Sequence, residues 1–142
     1  MKKICLIRHG QTEWNKRSII QGSIDIPLND TGKAQAKAIG DYLKPYQWDV
    51  IVSSHLKRAH QTADIMAGIL DIKAVVSDKN LAERHYGKSE GMTSYEVRQK
   101  YPGLNYEGAE DWEHFKHRVF SAVLHHATSI NADQILIVSH GA

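Results

Sequence analysis

Ile4-Cys5-Leu6-Ile7-Arg8-His9-Gly10-Gln11-Thr12 (residues 4–12) opens the chain with a short apolar run that stops on an arginine and a histidine. The pattern returns at residues 135–141, Ile135-Leu136-Ile137-Val138-Ser139-His140-Gly141. Both runs read as buried β-strands. Laid parallel in one sheet, they bring His9 and His140 to the same edge, although almost the whole chain separates them. An imidazole beside an arginine, faced by a second imidazole, is the arrangement needed to take a phosphoryl group onto nitrogen.

Further β-branched runs at 50–52 and 74–76 predict two more strands. Helical periodicity fills the spaces between. Thr31 to Leu43 places Ala34, Ala38, Ile39, Tyr42 and Leu43 on one face, with Asn29, Asp30 or Thr31 as its cap. His55 to Leu70 repeats Ala59, Thr62, Ala63, Met66, Ile69 and Leu70 at three- and four-residue spacing. From Asp111 onward Trp112, Phe115, Val119, Ala122, Val123 and His126 form a third stripe. A shorter helix spans Thr93 to Lys100, stopped by Pro102-Gly103. Strands alternating with helices predict an α/β fold, a three-layer α/β/α arrangement around a mostly parallel sheet.

With 142 residues the chain suits one domain, 1–142, and one core. Its 18 basic and 16 acidic residues balance to +2 and are scattered, which argues against a nucleic-acid surface. One cysteine, Cys5, excludes an internal disulfide framework and fits a reducing, cytoplasmic setting. Met1-Lys2-Lys3 precedes only four apolar residues, so it does not read as a signal peptide, and no run approaches the roughly 20 apolar residues of a membrane span. A parallel strand at 135–138 ordinarily leads into a crossover helix and a further strand. The expectation is therefore of a domain that lacks its C-terminal helix and strand.

Ligands of open parallel sheets bind beyond the carboxyl ends of the strands. Reading just past each run gives Arg8 and His9, then Ser53 and Arg58, then Glu83, then His140. Taken singly, each has a plainer reading: a turn, a solvated helix arginine, a loop carboxylate. Their shared position makes them a candidate site. Cys5 has no arginine six residues on, and no G-x-x-x-x-G-K-[ST] loop is present. His114 and His117, or Glu113 and His117, have helical metal-ligand spacing, but no further ligand completes a set, and His125 and His126 point to different faces.

Arg8-His9-Gly10-Gln11-Thr12 with Asn15 resembles the signature of the histidine phosphatase (phosphoglycerate mutase-like) superfamily. Further matches follow in order along the chain. Gln21-Gly22, Asp25, Pro27-Leu28, Gly32 and Gln35-Ala36 resemble the family's first loop and helix. Ser53-Ser54-His55-Leu56-Lys57-Arg58-Ala59-His60-Gln61-Thr62-Ala63 resembles its second-arginine helix. Leu81-Ala82-Glu83-Arg84-His85-Tyr86-Gly87, with Glu90-Gly91, resembles its acid loop, and Ser139-His140-Gly141 its second-histidine motif.

The resemblance implies a phosphoglycerate mutase-like fold and a phosphomonoesterase of histidine acid phosphatase type, working without metal or cofactor on a small phosphorylated metabolite. His9 is then the nucleophile, and Glu83 the general acid and later the base. Arg8, Arg58 and His140 surround the transferring group. Asn15, Gln21, Gly22 and Gly141 complete the phosphate site. His140 serves best when protonated, a state that a dianionic phosphate favours. Glu83 needs a pKa raised by burial or by adjacent phosphate.

Glu83-Arg84-His85-Tyr86-Gly87 looks like the mutase form of the acid loop. Against that, the short stretch Met92 to Glu107 lacks the mutase insertion and favours a small phosphatase. Mutase activity, and phosphate binding without turnover, stand as alternatives. Two departures concern ligand contacts: Ser89 stands where small phosphatases often carry tryptophan, and Ala109-Glu110 where the family has Glu-Ser. No oligomeric state is legible, and a homodimer stays open.

Overall fold

The four apolar runs form strands β1 (Lys3–Arg8), β2 (Val50–Ser54), β3 (Val75–Asp78) and β4 (Gln134–Ser139). The structure, a computed structural model, describes residues 2–142. All strand pairs are parallel, in the order β1-β4-β2-β3. The last strand in the chain is therefore an inner one. Register aligns the carboxyl ends, with Arg8 opposite Ser139, Ser53 opposite Val138 and Ser54 opposite Asp78.

Alternation along the two inner strands divides the core. Ile51, Leu136 and Val138 point to one face and pack with Ala59, Ala63 and Met66 of α3 (Lys57–Leu70) and Leu43 of α2 (Asp30–Leu43). Val50, Val52, Ile135 and Ile137 point to the other and meet Leu81 and Ala122, the latter on α5 (Trp112–Ser129). Both faces of these strands are covered, so their sequences run apolar without a polar alternate. The short helices α1 (Glu13–Lys16) and α4 (Ser94–Lys100) each begin with a capping box, from Thr12 and Thr93. Among the described residues no helix is long and apolar enough to cross a membrane.

Three expectations need correction. Residues 4–7 are not buried as a unit: among the described strands β1 pairs with β4 alone. On the face toward Trp112 and Phe120, Ile4 is 39% and Leu6 68% exposed, because no helix of the described residues covers them fully. The helix expected from His55 begins at Lys57, since Leu56 is extended (φ −65°, ψ 138°) and serves as its N-cap. On α2 the buried residues are Gly32, Ala36, Gly40 and Leu43, while Ile39 and Tyr42 face outward. Small residues let α2 lie close to α3: a Cβ at Gly40 would sit 2.9 Å from Ile69 Cδ1.

The first turn of α2 is packed equally closely against the loop that carries His9. A Cβ at Gly32 would collide with the Gln11 carbonyl, and one at Gly10 with the Gly32 carbonyl. Neither backbone can step aside without moving the loop that carries His9. Gly32→Ala is therefore expected to cost about 2–3 kcal/mol of stability by overpacking, read as a lowered Tm. An unchanged Tm would show that the contact relaxes freely.

Candidate active site

Parallel pairing carries both histidines to one edge. The His9 backbone N–H donates to Ser139 O at 3.0 Å, one residue before His140, and the two ring centroids lie 5.1 Å apart. His9 Nδ1 is 2.6 Å from Gly10 O. A carbonyl only accepts, so Nδ1 holds the proton and Nε2 keeps its lone pair. Burial lowers the His9 pKa to about 4, with Arg58 and Arg8 pulling the same way and the Gly10 bond opposing. The ring is neutral at neutral pH.

His140 Nε2 lies 2.9 Å from Ser54 Oγ, while its buried Nδ1 has no partner among the described residues. Burial above all, then the charge of Arg58, takes its pKa to about 2. Burial and the neighbouring positive charge thus keep His140 neutral in the free protein. Protonating it requires a strong anion beside it.

Arg58 is 1% exposed. Its Nη1 donates to Ile24 O at 2.8 Å and its Nη2 to Gly22 O at 2.7 Å, which holds the 22–24 loop. Its buried Nε has no partner among the described residues. Arg58 Nε is thus an orphaned donor, and His140 Nδ1 becomes a second one when the ring is protonated, a pair that suits a ligand rich in acceptors.

A cavity of 180 Å³ is lined by Arg8, His9, Arg58 and Glu83 with Asn15, Gln21, Gly22 and Tyr86; His140 stands behind His9 and lines a neighbouring pocket that it shares with Arg8. Asn15 Oδ1 accepts from the Thr12 amide at 3.0 Å and Gln21 Oε1 from Thr12 Oγ1 at 2.6 Å. With their carbonyl ends engaged, both side chains keep NH₂ groups to donate. Gly141 packs on Arg8: a Cβ there would lie 3.2 Å from the guanidinium. Glu83 Oε1 accepts from the Arg84 amide at 2.8 Å. Burial raises the Glu83 pKa above the usual carboxylate range, against the Arg84 amide and the charge of Arg58.

Other expectations fall away from the cavity. Ser53 Oγ pairs with His60 Nδ1 at 3.1 Å, and it is Ser54, one residue on, that reaches His140. Ser89 is fully buried and donates to Tyr86 O at 2.7 Å, so it forms no wall of the pocket. His55 and His85 are exposed. His114 Nδ1 lies 2.9 Å from Glu110 Oε2 at the start of α5, a hydrogen-bond contact on the surface.

Several residues that the sequence placed in motifs without a role turn out to support the site. Thr62 Oγ1 accepts from the Gly10 amide at 3.0 Å and donates to Arg58 O at 2.7 Å, joining the His9 loop to α3. Glu90 accepts from the Ser23 amide at 2.8 Å and the Tyr86 amide at 3.0 Å, tying the 22–24 loop to the loop that carries Glu83. Glu110, beside the departure noted above, binds Arg118 rather than a ligand. That hydrogen bond holds the Glu110 pKa down at about 2.

Comparison with known proteins agrees with this geometry. The model of the histidine phosphatase superfamily (branch 1) matches residues 4–142. The chain is 41% identical to the uncharacterized phosphatase PhoE of Bacillus subtilis over 142 residues, all of this chain and 73% of that protein. It is 40% identical over 103 residues to a 2,3-bisphosphoglycerate-dependent phosphoglycerate mutase of Lachnoclostridium phytofermentans, covering 70% of this chain and 41% of the mutase. A mycobacterial glucosyl-3-phosphoglycerate phosphatase, solved in complex with VO3, superposes with a TM-score of 0.88 at 29% identity, over 96% of this chain and 74% of that one.

Proposed function

Because the chain belongs to the histidine phosphatase superfamily (branch 1), we propose that it hydrolyses small phosphomonoesters through a phosphohistidine on His9. The observation that carries this reading is the fixed tautomer of His9, with Nδ1 2.6 Å from Gly10 O and Nε2 left as a nucleophile beside His140. Nε2 attacks phosphorus, the N–P bond forms and the ester P–O bond breaks. Glu83 gives its proton to the leaving alkoxide. Glu83, now a carboxylate, takes a proton from water as that water attacks phosphorus and the N–P bond breaks. Arg8, Arg58 and His140, with donors from Asn15, Gln21, Gly22 and Gly141, stabilise the charge on the phosphoryl oxygens through both steps. These fixed charges do the work without a metal or cofactor. Hydrolysis is favoured over mutase chemistry by the short segment between Gly91 and Gly108, which leaves water a path to the phosphohistidine. The lone thiol suits a reducing cytoplasm.

The test is turnover of an aryl phosphate in excess chelator, with the enzyme trapped during the reaction. A phosphoryl adduct at His9, labile to acid and stable to alkali, is the expected result. An acid-stable adduct, or turnover with none at all, overturns the proposal. Isomerisation of a phosphoglycerate in place of phosphate release would make it a mutase.

The pH profile follows from two opposite shifts. His9 must be neutral, so kcat/KM rises as pH climbs through about 4. Glu83 must be protonated, so kcat/KM falls as pH climbs through its raised value. Glu83→Gln is expected to remove that alkaline limb. Substrate ionisation is common to both proteins, so a limb that survives the substitution does not belong to Glu83.

A further inference from the structure

We propose that Arg118, clamped by Glu110, is a positioning residue for the general acid: it holds the backbone of the 80–83 loop and thereby sets where the Glu83 carboxyl stands. The proposal rests on the reading of Glu83 as the acid.

Arg118 lies on α5, away from the cavity, with its side chain 18% exposed and that of Glu110 13% exposed. Its Nη1 donates to Asn80 O at 2.8 Å and Ala82 O at 3.1 Å, and its Nη2 reaches Glu83 O at 3.4 Å. The other side of the fork grips Glu110, Nε to Oε2 at 2.9 Å and Nη2 to Oε1 at 2.8 Å. All five N–H groups of the guanidinium thus have acceptors. The remaining carbonyl of the loop, Leu81 O, accepts from Ser139 Oγ at 2.7 Å. Four consecutive carbonyls, 80 to 83, are therefore held by two side chains.

That loop has no ladder to hold it. It leaves β3 through a single turn of 3₁₀ helix, Lys79–Leu81, and carries Glu83 two residues later. A planar fork can grip a carboxylate on one edge and three carbonyls on the other; an ammonium cannot. Glu110 keeps the fork from turning, and its own backbone carbonyl accepts from Arg84 Nε at 2.9 Å, next to the acid. Ser139 directly precedes His140, so the same set of bonds couples the acid loop to the second histidine's strand.

Leaving groups separate positioning of an acid from support of the fold. An alkoxide needs a proton as it departs, whereas 2,4-dinitrophenolate does not, and kcat/KM reports only the steps through formation of the phosphohistidine. For Arg118→Leu we expect kcat/KM on glycerol phosphate to fall about 100-fold, the effect of a roughly 1 Å misplacement, and on 2,4-dinitrophenyl phosphate less than about threefold. Arg118→Lys and Glu110→Gln should show the same selectivity with losses of about tenfold, since each keeps part of the clamp. If Arg118→Leu does not fold, these two carry the test. Equal losses on both substrates, or none on either, overturn the proposal. Glu83→Gln is measured alongside. Should it be selective while the clamp variants are not, the clamp alone falls; should it lack selectivity, the acid assignment falls and the clamp with it.

Discussion

His9→Ala is expected to lower phosphomonoesterase turnover by at least about 10⁴-fold, the scale on which loss of a nucleophile acts. No neighbour can replace it. The His140 ring lies 5.1 Å from that of His9, but its Nε2 is engaged with Ser54 Oγ, and in the proposed mechanism it meets the phosphoryl oxygens rather than phosphorus. The substitution leaves Arg8, Arg58 and Glu83 in place, so binding of phosphate or vanadate should survive while turnover does not. Calorimetric vanadate binding together with a phosphate-release assay reads both. Retained turnover in the variant sinks the nucleophile assignment, whatever its vanadate affinity.

Arg58→Met is expected to injure catalysis and folding together. Loss of one preorganised charge at the phosphoryl oxygens lowers kcat/KM by about 10²–10³. The guanidinium is also the donor for Gly22 O and Ile24 O, and it is almost wholly buried. Methionine fills similar space but leaves both carbonyls unpaired, at a cost of about 2–4 kcal/mol in total. Urea unfolding should therefore shift its midpoint markedly, with the slope unchanged. Full stability would mean that the 22–24 loop holds itself, and Arg58 would then be a ligand contact alone.

The strands and their common edge are legible in the sequence because both faces of the inner strands are covered, which writes unbroken apolar runs into 50–52 and 135–138. Arg8, His9, Arg58, Glu83 and His140 can be found for the same reason: a residue just past a parallel strand needs only the strand to be placed. Packing by absence is harder to see. The buried face of α2 is made by Gly32, Ala36 and Gly40, which no hydrophobic count favours, while the large apolar Ile39 and Tyr42 point outward. Likewise β1 carries the apolar composition of an inner strand but pairs, among the described strands, with β4 alone. Arg118 leaves no mark either, since it acts on carbonyl oxygens, a group that every residue type presents equally, and its partner Glu110 shows only as a departure from the family pattern.

The placement of β4 between β1 and β2 bears on how the protein is made. A chain emerging from the ribosome has Arg8, His9, Arg58 and Glu83 in hand early, yet it lacks the strand that brings the second imidazole and fills the gap between the first two strands. Without β4 no strand joins β1 to β2, and β1 has no strand partner among the described residues. On the reading of His9 and His140 as parts of one site, phosphoryl transfer is expected only from chains in which β4 has been seated, so turnover would report on that step of folding.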